Sequence, residues 1–227
     1  MMSTSQNRPI ALRIALFLLI AGVGIGIGYQ LLKPPDTLPI YHPAQLDPRL
    51  VDKSLTGVKG EHHIRDFRLI DQFGGTFTLA DIGDRIVVAD FFFTTCATIC
   101  PKMSMQMARV QDAYKEEDRL LLLSHSVTPE IDSVPVIAAY AELHGADPDR
   151  WRFLTGDRRQ IYMLARKSYF AALDEGDGSQ DDFVHTENFV LVDPQRRIRG
   201  FYDGTSVKDV DRLIADIARL LQEEQPA

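Results

Sequence analysis

The chain has 227 residues and a formal net charge of −7, with 25 Lys and Arg against 32 Asp and Glu. No basic patch offsets the acidic balance, which argues against nucleic acid as a partner. Its two cysteines are too few for a zinc site built from two cysteine pairs.

Ile14 to Leu32 runs nineteen residues without a charge, close to the ~20 that a helix needs to cross a bilayer. Gly22, Gly24, Gly26 and Gly28 weaken it as a soluble helix but are tolerated in membrane helices. Arg8 and Arg13 precede it and only Lys33 follows closely, which puts residues 1–13 in the cytoplasm and the rest on the outer side. The expected location is a cell inner membrane, single-pass, with the C-terminal domain on the periplasmic or equivalent side. A cleaved signal peptide is the competing reading, although no clear Ala-x-Ala site ends the span.

Five prolines between Pro34 and Pro48 forbid regular helix through most of residues 33–60, which read as a tether. Residues 61–227 remain for one domain with its own core. In it, Phe67–Ile70 and Thr76–Leu79 flank the turn signal Asp71-Gln-Phe-Gly-Gly75. Ile86–Phe93 is nearly continuously apolar, as expected of a central strand covered on both faces. Met103, Met107, Val110 and Tyr114 follow at helical spacing. Leu120–Leu123 predicts another buried strand, Val134–Leu143 a helix, Phe153–Leu154 a short strand and Gln160–Phe170 a helix. Leu173–Val184 carries five acidic residues and two glycines without apolar periodicity, and reads as an exposed loop. Phe189–Val192 and Ile198–Tyr202 predict a strand pair. Val210, Leu213, Ile214, Ile217 and Leu221 predict a last helix, capped by Ser206 with Asp209 three residues on. The order implies a three-layer α/β domain with a mixed central sheet, thioredoxin-like in its specific version.

The chemistry gathers where the central strand meets its helix. Cys96 and Cys100 lie in Thr94-Thr-Cys-Ala-Thr-Ile-Cys-Pro101. Pro101 is best placed at the first helical position, so the helix should start near Cys100 with Cys96 in the turn just before it, and both sulfurs should sit by its positive end, which favours thiolate. A plain structural disulfide is the bland alternative, but so short a loop closes little chain. Two soft thiolates and one imidazole satisfy Cu(I), and the same set accepts Cu(II) with an oxygen added. His185, at the entrance of the Phe189–Val192 run, is the natural third ligand. Asp90 lies six residues before Cys96 inside the apolar strand. It is a candidate base for dithiol chemistry, or an aspartate satisfied by local hydrogen bonds. Met103 and Met107 read as core, and Met105 as exposed. His62, His63 and His125 lack a completing motif.

These segments together resemble the Sco/SenC family of membrane-anchored, thioredoxin-like copper proteins. The resemblance runs from about Leu38 to the last helix. It is carried by Phe-Phe-Phe-Thr-Thr-Cys-Ala-Thr-Ile-Cys-Pro-Lys-Met, by Ser124-His-Ser-Val-Thr-Pro129, by Trp151-Arg-Phe-Leu-Thr-Gly156 and by His185-Thr-Glu-Asn-Phe-Val-Leu-Val-Asp-Pro194. It implies that Cys96, Cys100 and His185 match the family's copper ligands. It also implies a role in cytochrome c oxidase assembly, by supplying copper to the CuA-bearing subunit or by reducing that centre's cysteines. Other copper carriers or thiol–disulfide proteins are further expected partners. Ala97, where many members have proline, and Arg65, where Ile-Pro-Asp-Phe is frequent, are departures that remove no ligand. The expectation is a metallochaperone, not an enzyme in the strict sense, with thiol–disulfide reductase as the alternative.

Overall fold

The computed structural model describes residues 8–32, 37–55, 60–174 and 183–224, with backbone alone at 8–11, 30, 173–174 and 183–185. A single helix, α1 (Arg8–Leu32), forms one compact unit. Its Leu12–Tyr29 stretch is long and apolar enough to cross a membrane. Eighteen residues at 1.5 Å each span roughly 27 Å, close to a hydrocarbon core.

The second unit begins at Thr37 and not at residue 61, where the proline content suggested its border. Proline excludes helix but not packing. Residues 37–55 contain only 310 turns, at Pro43–Gln45 and Lys53–Leu55, and they bury Leu38, Val51 and Leu55 against the domain. Tyr41 N–H bonds the Ile198 carbonyl at 2.9 Å. Arg199, itself only 4% exposed, donates to the carbonyls of Leu38 (2.7 Å) and Pro39 (3.1 Å). The same guanidinium pairs with Asp193 at 3.2 Å and Glu223 at 2.5 Å. This segment is a strap, sewn down by one buried arginine. Arg199→Met keeps the apolar stem but strips the buried Asp193 of one cation and the strap of two donors. A loss of about 3 kcal/mol is expected, because breaking a buried ion pair leaves its partner uncompensated. Thermal unfolding of the chain from Thr37 onward measures it, as a midpoint drop of roughly 6–12 °C.

Nine strands follow the strap among the described residues. They are β1 (Arg68–Asp71), β2 (Thr76–Thr78), β3 (Ile86–Phe92), β4 (Leu120–Ser126), β5 (Trp151–Thr155), β6 (Ala172–Asp174), β7 (Phe183–His185), β8 (Asn188–Val192) and β9 (Ile198–Asp203). The main sheet has the order β2-β1-β5-β4-β3-β8-β9. β3, β4 and β5 are parallel, whereas β1 joins β5 and β8 joins β3 antiparallel. This is the mixed sheet the element order implied. β3 and β4 are buried at all seven positions each, as strands covered on both faces must be.

Helices α2 (Ile99–Ala113), α3 (Val134–Leu143) and α5 (Val207–Glu223) cover one face. α4 (Arg158–Lys167) and the strap from Tyr41 onward cover the other, while Leu38 at the start of the strap joins the first. The three layers place two apolar cores back to back across the sheet. The β1–β2 turn closes through Asp71, whose Oδ1 accepts from the Phe73 and Gly75 amides, with Gly74 at φ +80°. α4 stops at Lys167, three residues before the sequence pattern ends, because Phe170 turns left-handed at φ +50°. Ser206 caps α5 by accepting from the Asp209 amide, but the Asp209 carboxylate turns to the Asp203 amide instead of closing a capping box. The acidic stretch expected as a loop is different at its ends, where β6 and β7 pair as a small separate sheet. Residues 175–182 between them lie outside the described residues.

Candidate metal and thiol site

β3 ends at Phe92 and α2 begins at Ile99, so Cys96 sits in the connecting turn and Cys100 in the first helical turn. Pro101 falls where helix amides have no acceptor within the helix, so its missing N–H costs nothing there. The turn closes on itself through Cys96 N–H to the Phe93 carbonyl at 3.2 Å. Both cysteines are free thiols. Cys100 is fully buried among α2, β3 and α3 side chains, and Cys96 is half-buried.

The two sulfurs are electrostatically unequal. The Cys100 amide points at Cys96 Sγ from 3.3 Å. Burial raises the Cys96 thiol, but the Cys100 amide and thiol and the amides of Thr98 and Ile99 outweigh it and bring it down to about 7. Burial pushes Cys100 up to about 12, against a bond to the Phe93 backbone, and neighbouring Cys96 and Asp90 add to the rise. At neutral pH the accessible sulfur is therefore substantially thiolate, the form that attacks disulfides and binds metal, while its buried neighbour keeps its proton.

Asp90 lies under this pair, in β3 and 1% exposed. Burial raises its carboxyl to about 7, despite a bond from the Ser124 hydroxyl. Ser124 in turn accepts the indole N–H of Trp151 at 2.9 Å. The other oxygen, Oδ1, has no hydrogen-bond partner. A buried, half-satisfied carboxyl beside a dithiol is a costly arrangement that packing alone does not call for.

The histidines separate. His185 ends β7, in register with Ala172 on β6, and its side chain lies outside the described part. Among the described residues, no three His, Cys, Asp or Glu side chains assemble as a metal set. His125 lies inside β4, which runs past the expected end at Leu123 to Ser126. Strand alternation turns it to the face opposite Asp90. There it stacks on Phe91 at 4.9 Å, and burial holds it down to about 4. His62 bonds the Ser168 carbonyl and His63 the Gln195 carbonyl, each at 2.8 Å. Met103 and Met107 are buried core residues, and Met105 is exposed.

One residue that sequence reasoning passed over belongs to this region. Asp132, fully buried in the loop after β4, accepts from the hydroxyls of Thr94 and Ser126 at 2.5 Å and of Thr128 at 2.9 Å. The available signal was three hydroxyl residues beside two strand ends with one acid nearby. It has no periodicity and is easily read as loop polarity.

Comparison with known proteins agrees with this architecture. The SCO1/SenC family model matches residues 56–222. A SCO1 protein homolog from Bacillus subtilis is 31% identical over 158 residues, covering 69% of this chain and 81% of the relative. The structure of BsSco, a member of the Sco family of cytochrome c oxidase assembly proteins in which a disulfide switch was identified, superposes with a TM-score of 0.60. It is 30% identical, covering 70% of this chain and 94% of that one. Arabidopsis thaliana ScoI with copper bound shares the fold at a TM-score of 0.57 and 24% identity, covering 70% of this chain and 98% of that one. With a family model spanning most of the thiol-bearing domain, and the dithiol at the strand–helix junction of a thioredoxin-like sheet, the chain belongs to the SCO1/SenC family.

Proposed function

We propose that the protein is a copper-binding metallochaperone that supplies the CuA centre of cytochrome c oxidase. Copper is its cargo, held by Cys96 and Cys100 as Cu(I) and with His185 added as Cu(II). The observation that carries this reading is the reduced Cys96–Cys100 pair at the start of α2, with helix amides turned toward the outer sulfur. Two soft donors fixed four residues apart suit a cation that tolerates low coordination. Cys100 must lose its proton to join, so loading releases protons and strengthens as pH rises.

The experiment is a Cu(I) titration of the reduced chain against a chromophoric chelator. One equivalent should bind per chain. Saturation at zero equivalents, or a stable complex kept by a chain lacking both cysteines, would sink the assignment.

A second reading is favoured by the inequality of the two thiols. A half-exposed Cys96 near pKa 7 and a buried Cys100 near 12 fit an attacking and a resolving thiol. As a reductase, Cys96 thiolate would attack a partner disulfide and Cys100 would then displace the partner's thiolate. Two partner thiols and one Cys96–Cys100 disulfide result. The oxidised form would bind no copper, since bonded sulfurs are not thiolate ligands.

α1 is the anchor in this reading, with residues 1–13 cytoplasmic and the thiol domain on the outer side. A reporter fused after Gly60 should be active outside and should sediment with membranes. A soluble, shortened product would show instead that the span is cleaved.

A further inference from the structure

Besides the Cys96 sulfur, which accepts the Cys100 amide, Thr94 is the residue of the turn 94–98 whose side chain is tied to another element among the described residues. Its tie is to Asp132. The Thr94 hydroxyl reaches Asp132 Oδ1 at 2.5 Å, and its amide lies 3.3 Å from Oδ2. One carboxylate thus holds both the backbone and the side chain of a residue two positions before Cys96. On its far side the same group is clamped by Ser126 at the end of β4 and by Thr128. The Asp132 carbonyl accepts from Thr155 at the end of β5 at 2.8 Å.

This arrangement is expensive if it serves only to join two loops. Asp132 is 0% exposed, and the structure gives it no ion pair among the described residues. Its charge is offset by neutral donors alone, which makes it a rigid, saturated acceptor. The two sulfurs are held in different ways. Cys100 is fully buried in the core around α2, whereas Cys96 packs at the edge of that core, accepts the Cys100 amide and takes its backbone position from the turn that Asp132 secures.

We propose that Asp132 is the positioning residue of the dithiol. By fixing Thr94, it sets the approach of Cys96 to Cys100, and so how well both sulfurs act on one Cu(I) or join in one disulfide. The copper half of this statement rests on the function proposed above; the disulfide half does not.

The test uses the full chain in detergent with three substitutions. Asp132→Asn removes the charge and one acceptor, and Thr94→Val removes only the hydroxyl that reaches the carboxylate. Thr155→Val breaks a bond to the same loop but leaves the carboxylate untouched. Each is measured for unfolding temperature, for Cu(I) affinity by chelator competition, and for equilibrium with glutathione. In that equilibrium Cys96 and Cys100 give two electrons and two protons to glutathione disulfide, which leaves as two glutathione thiols. Asp132→Asn and Thr94→Val should weaken Cu(I) binding about tenfold or more, the range seen when a ligand's support is removed. They should lower the disulfide equilibrium constant in parallel. Thr155→Val should cost unfolding temperature and leave both constants at the wild-type value. Two results overturn the proposal: wild-type constants in Asp132→Asn and Thr94→Val, or losses in Thr155→Val that match theirs. A wild-type chain that binds no Cu(I), with an Asp132→Asn that still loses disulfide stability, would end the copper reading and leave the positioning role standing.

Discussion

Cys96→Ser or Cys100→Ser will lower Cu(I) affinity by several orders of magnitude, while His185→Ala will leave it nearly intact. The asymmetry follows from ligand softness. Cu(I) is held by the two thiolates, and a hydroxyl in place of either is a hard, protonated donor that contributes almost nothing. The imidazole becomes necessary when copper is Cu(II), so His185→Ala should lose the Cu(II) complex selectively. Chelator competition for Cu(I) and visible absorption for Cu(II) separate the arms. Equal loss of both oxidation states in His185→Ala would show that the imidazole carries Cu(I) as much as Cu(II) and would overturn the asymmetry. Neither serine substitution should unfold the domain, since the cysteines are free and no disulfide is lost.

Asp90→Asn will make the protein more stable at pH 8 and slower in thiol exchange. In the fold the Asp90 carboxyl keeps its proton up to about pH 7, whereas in the unfolded chain it ionises near the ordinary aspartate value of 3.8. Between those values the folded state binds more protons than the unfolded one. The contribution is therefore full below pH 4 and is lost as pH rises to 7. A gap of about three pH units corresponds to about 4 kcal/mol. Asparagine cannot ionise, so it escapes that loss, although its amide gains buried N–H groups that cost about 1–3 kcal/mol unless they find acceptors. The net gain at pH 8 should be about 2 kcal/mol, shrinking to nothing or reversing near pH 4. Denaturant unfolding at the two pH values measures it. If Asp90 moves the Cys100 proton, exchange slows while Cu(I) affinity stays within a few-fold. A variant that loses both together would show that Asp90 only holds the site's shape. The residue would then be one more buried acid maintained at a cost in stability.

What could be read from the sequence was whatever a period carries. β3 and α3 emerge with their limits nearly intact, because an apolar run and a helical spacing are local signals. β5 was visible only as Phe153–Leu154, since Arg152 interrupts the apolar run of a five-residue strand. The dithiol was legible because cysteine is rare and its spacing is chemical. The strap was not legible. Its buried residues follow no period, and its partners Ile198, Arg199 and Glu223 stand more than 150 positions away. Asp132 was hidden for the same reason: Thr94, Ser126 and Thr128 become one cluster only after β3 and β4 pair in register.

The strap also imposes an order of events. Leu38 gives its amide to Glu223 at the far end of α5 and its carbonyl to Arg199, so the first segment of the domain to be synthesised docks on the last. The carbonyl has only water until 161 further residues have been added, and the amide until 185 have. Closing so long a loop comes late, because its entropy must be met before any contact rewards it. A nascent chain halted before Val207 should hold its central strands yet leave the strap open to protease at Arg49, and a chain that extends through α5 should not. Synthesis of α5, more than formation of the sheet, is then the step at which the domain closes.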